Sequence, residues 1–75
     1  MMTERKLPFA CRVKDKEPVS VANRFTGDRI TIPPDAVAVY DTIMGAEIVR
    51  DYKTMRKGLN WFITHEPDAY MILLD

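Results

Sequence analysis

The chain has 75 residues, with eleven lysines and arginines against eleven aspartates and glutamates, and 47% of its residues are apolar. That length is below the usual ~100–200 residues per domain and leaves room for one core, while the apolar content takes the chain out of the disordered class. The zero formal charge removes the whole-molecule attraction on which non-specific nucleic-acid binding rests.

A domain of this size buries only about 60% of the surface its unfolded chain exposes, so its stability is marginal unless disulfides, metal or self-association add to it. Cys11 is the only cysteine and His65 the only histidine, so neither a disulfide nor a Cys/His zinc site can be assembled within one chain. No cofactor is expected. No uninterrupted apolar run approaches the ~20 residues of a membrane-spanning helix, and the charged start, Met1-Met2-Thr3-Glu4-Arg5-Lys6, has no apolar run behind it to serve as a signal peptide. A reducing, cytoplasmic setting is the expectation.

Residues 1–8 show neither strand nor helix periodicity and read as a flexible N-terminal segment, with a single domain over residues 9–75. Phe9 to Val13 is long enough for a short strand, which the charged run Lys14-Asp15-Lys16-Glu17 and Pro18 would end. The clearest signal follows. Val19 and Val21 alternate with Ser20 and Ala22, and Ile30 and Ile32 alternate with Arg29 and Thr31, on either side of Asn23-Arg24-Phe25-Thr26-Gly27-Asp28. This is a β-hairpin, with Gly27 free to take positive φ and Asn23 and Asp28 able to bond the turn backbone. Val19, Val21, Ile30 and Ile32 share the face to be covered, and Ser20, Arg29 and Thr31 face water.

Pro33-Pro34-Asp35 marks a helix start, Asp35 serving as cap or as an acid at the positive end of the dipole. Val37, Tyr40, Ile43 or Met44, and Ile48 recur at helical spacing; Gly45 is either a C-terminal cap or an interior glycine. A second helix starts at Asp51 as N-cap, places Tyr52, Met55, Leu59, Phe62 and Ile63 on its apolar face with Lys53, Arg56, Lys57 and Asn60 opposite, and ends near His65. Pro67-Asp68-Ala69 opens a last element, in which Tyr70 to Leu74 is apolar at five successive positions. As helix or as strand, such a segment is either buried deeply or set against another chain. The fold class is therefore α+β, a hairpin with a third short strand as an option, followed by two or three short helices.

Chemistry finds little to hold on to. His65 has Glu66 beside it in sequence, but successive helix residues point in different directions, and a histidine at a helix C-terminus suits the dipole. Cys11, in a strand between Ala10 and Arg12, lacks the cationic surroundings a reactive thiolate needs. Asp35, Asp41, Glu47 and Asp51 match no calcium loop, and Gly27, Gly45 and Gly58 are too scattered for a phosphate cradle. No catalytic residue, cofactor site or metal ligand is assigned, and the chain reads as a non-enzyme.

Two binding readings stay open. The first is a protein-interaction module that pairs with itself or with another protein through Trp61, Tyr70, Met71, Leu73 and Leu74, because tryptophan marks interface hot spots and small domains gain stability by oligomerising. The alternative is a small nucleic-acid-binding protein, in which Lys53, Arg56 and Lys57 form one row of phosphate contacts on the second helix.

Asn23-Arg24-Phe25-Thr26-Gly27, Pro34-Asp35-Ala36-Val37-Ala38-Val39-Tyr40-Asp41, Gly58-Leu59-Asn60-Trp61-Phe62 and Tyr70-Met71-Ile72-Leu73-Leu74-Asp75 together resemble small uncharacterised proteins of marine tailed phages. The resemblance spans nearly all of the chain from Cys11. It implies expression inside an infected bacterial host and carries no activity or functional residue with it.

Overall fold

A computed structural model describes residues 5–74. Two strands, β1 (Val19–Ala22) and β2 (Arg29–Ile32), pair antiparallel with Val19 opposite Ile32 and Val21 opposite Ile30. Three helices follow: α1 (Pro34–Ile48), α2 (Tyr52–His65) and the single turn α3 (Pro67–Ala69), which runs on as a π-helical segment, Tyr70–Leu74. The fold is the expected α+β arrangement of hairpin then helices.

The hairpin keeps the predicted inside and outside. Ile32 is buried, Val19, Val21 and Ile30 are half-buried against the core, and Ser20, Arg29 and Thr31 are exposed. Outside the core, Arg29 Nε donates to Ser20 Oγ at 2.9 Å across the two strands. The connection is organised by Asn23, whose Oδ1 accepts from the backbone N–H of Phe25 (2.7 Å) and Thr26 (3.1 Å), and Gly27 takes φ +80°. No strand forms at Phe9 to Val13. With Pro8 before it and charges after it the segment has no ladder partner, yet Phe9 and Cys11 still pack on the core.

At the start of α1, Pro33 is the cap residue and has no polar side chain to bond; Asp35 lies in the first turn, where its Oδ1 accepts from the Ala36 N–H at 2.8 Å and its carboxylate suits the dipole. Gly45 is interior, and the helix stops elsewhere. Arg50, at φ 60°, supplies the left-handed residue, with Arg50 N–H donating to Glu47 O (3.2 Å) and Asp51 N–H to Ala46 O (2.8 Å). This is a Schellman ending with arginine where glycine is usual. Asp51 then caps α2 as expected, accepting from Thr54 N–H (3.2 Å) and Thr54 Oγ1 (2.7 Å). Those two hydrogen bonds hold its carboxyl below the ordinary aspartate range.

Phe62, Ile32, Ile43 and Val39 are the largest fully buried side chains. Ala36 through Tyr40 are buried without a break, so the first half of α1 is enclosed on nearly all sides and lacks the single apolar stripe expected of it. Helices α1 and α2 meet at Gly58, where a Cβ would stand 2.7 Å from Ile43 Cδ1 and 3.3 Å from Phe9 Cε2. Close approach is the reason for a glycine there.

Of the N-terminal segment expected to be flexible, residues 1–4 lie outside the described residues; residues 5–8 are firmly tied. Arg5 bonds Asp35 and Glu66, Trp61 Nε1 donates to Lys6 O at 2.8 Å, and Leu7 packs on the core. No helix of the described residues is long and apolar enough to cross a membrane.

Candidate functional site

Helix α2 places side chains on two arcs. At 100° per residue, Gly58, Trp61 and Phe62 form one arc and all three are buried. Tyr52, Leu59 and Ile63 fall within about 40° of one another on a second arc, centred more than 100° from the first. Tyr52 and Ile63 are exposed and Leu59 is half-buried. The expected single face made of Tyr52, Met55, Leu59, Phe62 and Ile63 is thus divided, because close packing at Gly58 turns the other arc inward.

The outer arc borders two hollows. One, of about 390 Å³, is lined by Tyr52, Met55, Arg56, Leu59, Asn60, Ile63 and Tyr70. The other, of about 200 Å³, lies toward α1 and the hairpin tip, and Met44, Glu47, Phe25, Arg24 and Leu74 are among its walls. Met55 and Leu59 line both, so the two hollows flank a single row of apolar side chains. Phe25 stands at the rim, 91% exposed. At the turn between the helices Ile48 and Val49 are exposed as well. For Ile48 this corrects the expectation of a buried position: Ala46, one turn from Ile43, takes the place facing the core.

The side chains expected at an interface separate into two groups. Trp61 and Leu73 are core residues, 6% and 7% exposed, and offer no surface to a partner in this fold. The N-terminal segment completes the burial of Trp61: Arg5 covers the indole, 4.7 Å from the ring, and Lys6 O accepts its N–H. Leu73 is turned inward by the π-helical winding, which places Leu73 in the core, half-buries Tyr70, Ile72 and Leu74, and leaves Met71 exposed. Only Met71, with the open parts of Tyr70 and Leu74, remains available. Sequence periodicity puts Tyr52 and Ile63 in the core stripe and Phe25 in the turn, so none of these three surface side chains stands out before the fold is known.

Lys53, Arg56 and Lys57 are exposed on α2 as expected, and none is in an ion pair among the described residues. The polar cluster at the other end of the molecule is closed on itself. Arg5 Nε and Nη2 donate to the two oxygens of Asp35 at 2.8 and 2.6 Å, and Nη1 donates to Glu66 Oε2 at 2.6 Å. Arg5 holds the Asp35 carboxyl below the usual range. His65 is exposed, its ring tilted 42° against that of Trp61. Burial raises the Cys11 thiol, which makes it less ready to ionise. Among the described residues no group of three or more histidines, cysteines or carboxylates is placed to hold a metal ion.

What this arrangement can do chemically is cover apolar surface on another molecule, with cations at the edge. Comparison with protein families, with curated protein sequences and with solved structures gives no match.

Proposed function

We propose that this chain is a non-enzymatic protein-interaction module that associates with itself through the surface around Met55 and Leu59. The observation that carries the reading is the second apolar arc of α2, where exposed Tyr52 and Ile63 border the open hollow beside Leu59. Contiguous apolar surface rimmed by polar groups marks association sites, whereas isolated exposed apolar residues need no explanation. A small domain with one modest core gains most from such a contact. The lone cysteine fits a reducing, cytoplasmic setting, and the phage resemblance adds an infected bacterial cell as its place of work.

Light scattering on the purified protein tests the reading. Association is expected at tens of micromolar and is expected to disappear in Ile63→Asp, whose circular dichroism and melting temperature stay close to those of the parent because the side chain is half exposed. A clean monomer across that range removes the proposal.

The second reading, nucleic-acid binding by Lys53, Arg56 and Lys57, is favoured by the exposure of all three and by their lack of ion pairs among the described residues. Its signature is binding that weakens steeply with salt, the log–log slope falling by about one unit per phosphate-contacting residue removed. No retention of DNA or RNA at low salt ends it.

A further inference from the structure

The two long helices divide the charge between them. Helix α1 carries Asp35, Asp41 and Glu47 and no lysine or arginine; α2 carries Lys53, Arg56 and Lys57 and no aspartate or glutamate. Asp35 is taken by Arg5, and none of the ion pairs among the described residues joins α1 to α2, although the helices pack side by side. Asp41, Glu47, Lys53, Arg56 and Lys57 all remain exposed. The chain as a whole is neutral, so no long-range repulsion keeps copies apart.

The charges are also placed to match. Glu47 lies on the hollow to one side of the Met55 and Leu59 row, and Arg56 on the hollow to the other side. A two-fold axis lying in the contact plane along that row sets the Glu47 flank of one copy opposite the Arg56 flank of the other. In an isologous pair of this kind each copy gives what it receives. Resting on the self-association reading above, we propose that the occupant of this surface is a second copy of the chain, seated about that axis, with Met55 and Leu59 of the two copies in contact at the centre and Glu47 of each copy paired with the partner's Arg56.

Within the chain Glu47 has one ion pair, to Arg24 at 3.5 Å, and both side chains are more than half exposed. Such a pair contributes little by itself. A carboxylate has two oxygens and room for about four hydrogen bonds, so Glu47 bridges Arg24 and the incoming guanidinium without losing either. On the basic flank no acid pairs with Arg56 among the described residues. Of the partners open to an apolar surface edged in this way, the second copy is the one whose own charges fit.

The experiment is a charge exchange between copies. Arg56→Glu sets a carboxylate against the partner's Glu47, and Glu47→Lys sets an ammonium against the partner's Arg56; mixed one to one, the two variants restore opposite charges at both contacts. At a concentration where the parent is dimeric, sedimentation is expected to show each variant alone monomeric, with association weakened by about tenfold or more. Native mass spectrometry of the mixture is expected to show the heterodimer. Circular dichroism checks that both variants remain folded. A monomeric parent overturns this inference together with the reading it rests on. A dimeric parent with unaffected single variants, or monomeric variants that fail to pair on mixing, overturns the two-fold arrangement alone and leaves self-association standing.

Discussion

Arg5 holds Asp35 with two parallel hydrogen bonds, 2.8 and 2.6 Å long, and so fastens the N-terminal segment to the first turn of α1 across thirty positions of sequence. The same guanidinium reaches Glu66 between α2 and α3 and lies over the Trp61 ring. All three charged side chains are about three-quarters buried, so this is stronger than a surface pair. Arg5→Ala is expected to cost ~1–3 kcal/mol in urea unfolding. Arg5→Lys should recover only part of that, because an ammonium cannot repeat the planar two-pronged contact. Equal stability of Arg5→Ala and the parent shows the contact to be idle.

The same pair sets a dependence on pH. Arg5 lowers the Asp35 carboxyl, chiefly through the side-chain hydrogen bonds, so the folded chain binds this proton less readily than the unfolded chain. The stabilisation is therefore complete above the unfolded value of ~3.9 and is lost as pH falls through the lower folded value. Arg5 itself is raised further above an already high value and stays charged throughout. Asp35→Asn is expected to be less stable than the parent near neutrality, with the gap closing toward pH 3. A gap that stays constant from pH 7 to pH 3 would falsify the assignment.

Two helix positions and one in the turn between α1 and α2 respond to substitution in opposite directions. At Gly45 an added methyl meets nothing within 4 Å, so Gly45→Ala should stabilise by up to ~1 kcal/mol through helix propensity alone. At Gly58 the same methyl collides with buried Ile43, and Gly58→Ala should destabilise by ~1–3 kcal/mol. Arg50 adopts φ 60°, so Arg50→Gly relieves ~1 kcal/mol of left-handed strain. Thermal melts of the three variants check the signs; a stabilising Gly58→Ala contradicts the close approach of α1 and α2.

The hairpin was legible because alternation of period two, a glycine in the turn and an asparagine before it all agree, and the cap of α2 at Asp51 was legible because the short polar side chain leaves little choice. The surface of α2 was not. Apolar residues at helical spacing mark a stripe without saying whether it meets the core, and the close packing at Gly58, visible only in three dimensions, is what directs Trp61 inward and Tyr52 outward. The N-terminal attachment was hidden for another reason. Arg5 finds Asp35 thirty residues away and Glu66 sixty-one residues away, and no periodicity joins such positions.

The C-terminal segment distinguishes core from surface one residue at a time. Leu73 is in the core while Met71 is 64% exposed, two residues away. Leu73→Asp is expected to unfold the chain, since a carboxylate buried there has no partner. Met71→Asp is expected to shift stability by no more than ~0.5 kcal/mol. Circular dichroism of the pair decides, and a folded Leu73→Asp contradicts the inward placement.

Asn23 carries the last prediction, because one side chain serves two parts of the fold. Its Oδ1 accepts from the N–H groups of Phe25 and Thr26, closing the turn, while its Nδ2 donates to Ile72 O at 2.8 Å and ties the hairpin to the π-helical segment. Among the short polar side chains asparagine alone carries the acceptor and the donor on separate atoms. Asn23→Asp keeps the acceptor and sets a carboxylate against the Ile72 carbonyl; Asn23→Ala removes both halves. Each lost hydrogen bond contributes ~1 kcal/mol, so Asn23→Ala should cost roughly 2–3 kcal/mol and Asn23→Asp about half of that. Amide exchange separates the two effects: in Asn23→Asp the N–H groups of Phe25 and Thr26 stay protected while those of the C-terminal segment open. Loss of protection in the turn of Asn23→Asp, or none in the C-terminal segment, shows that the two halves do not act separately.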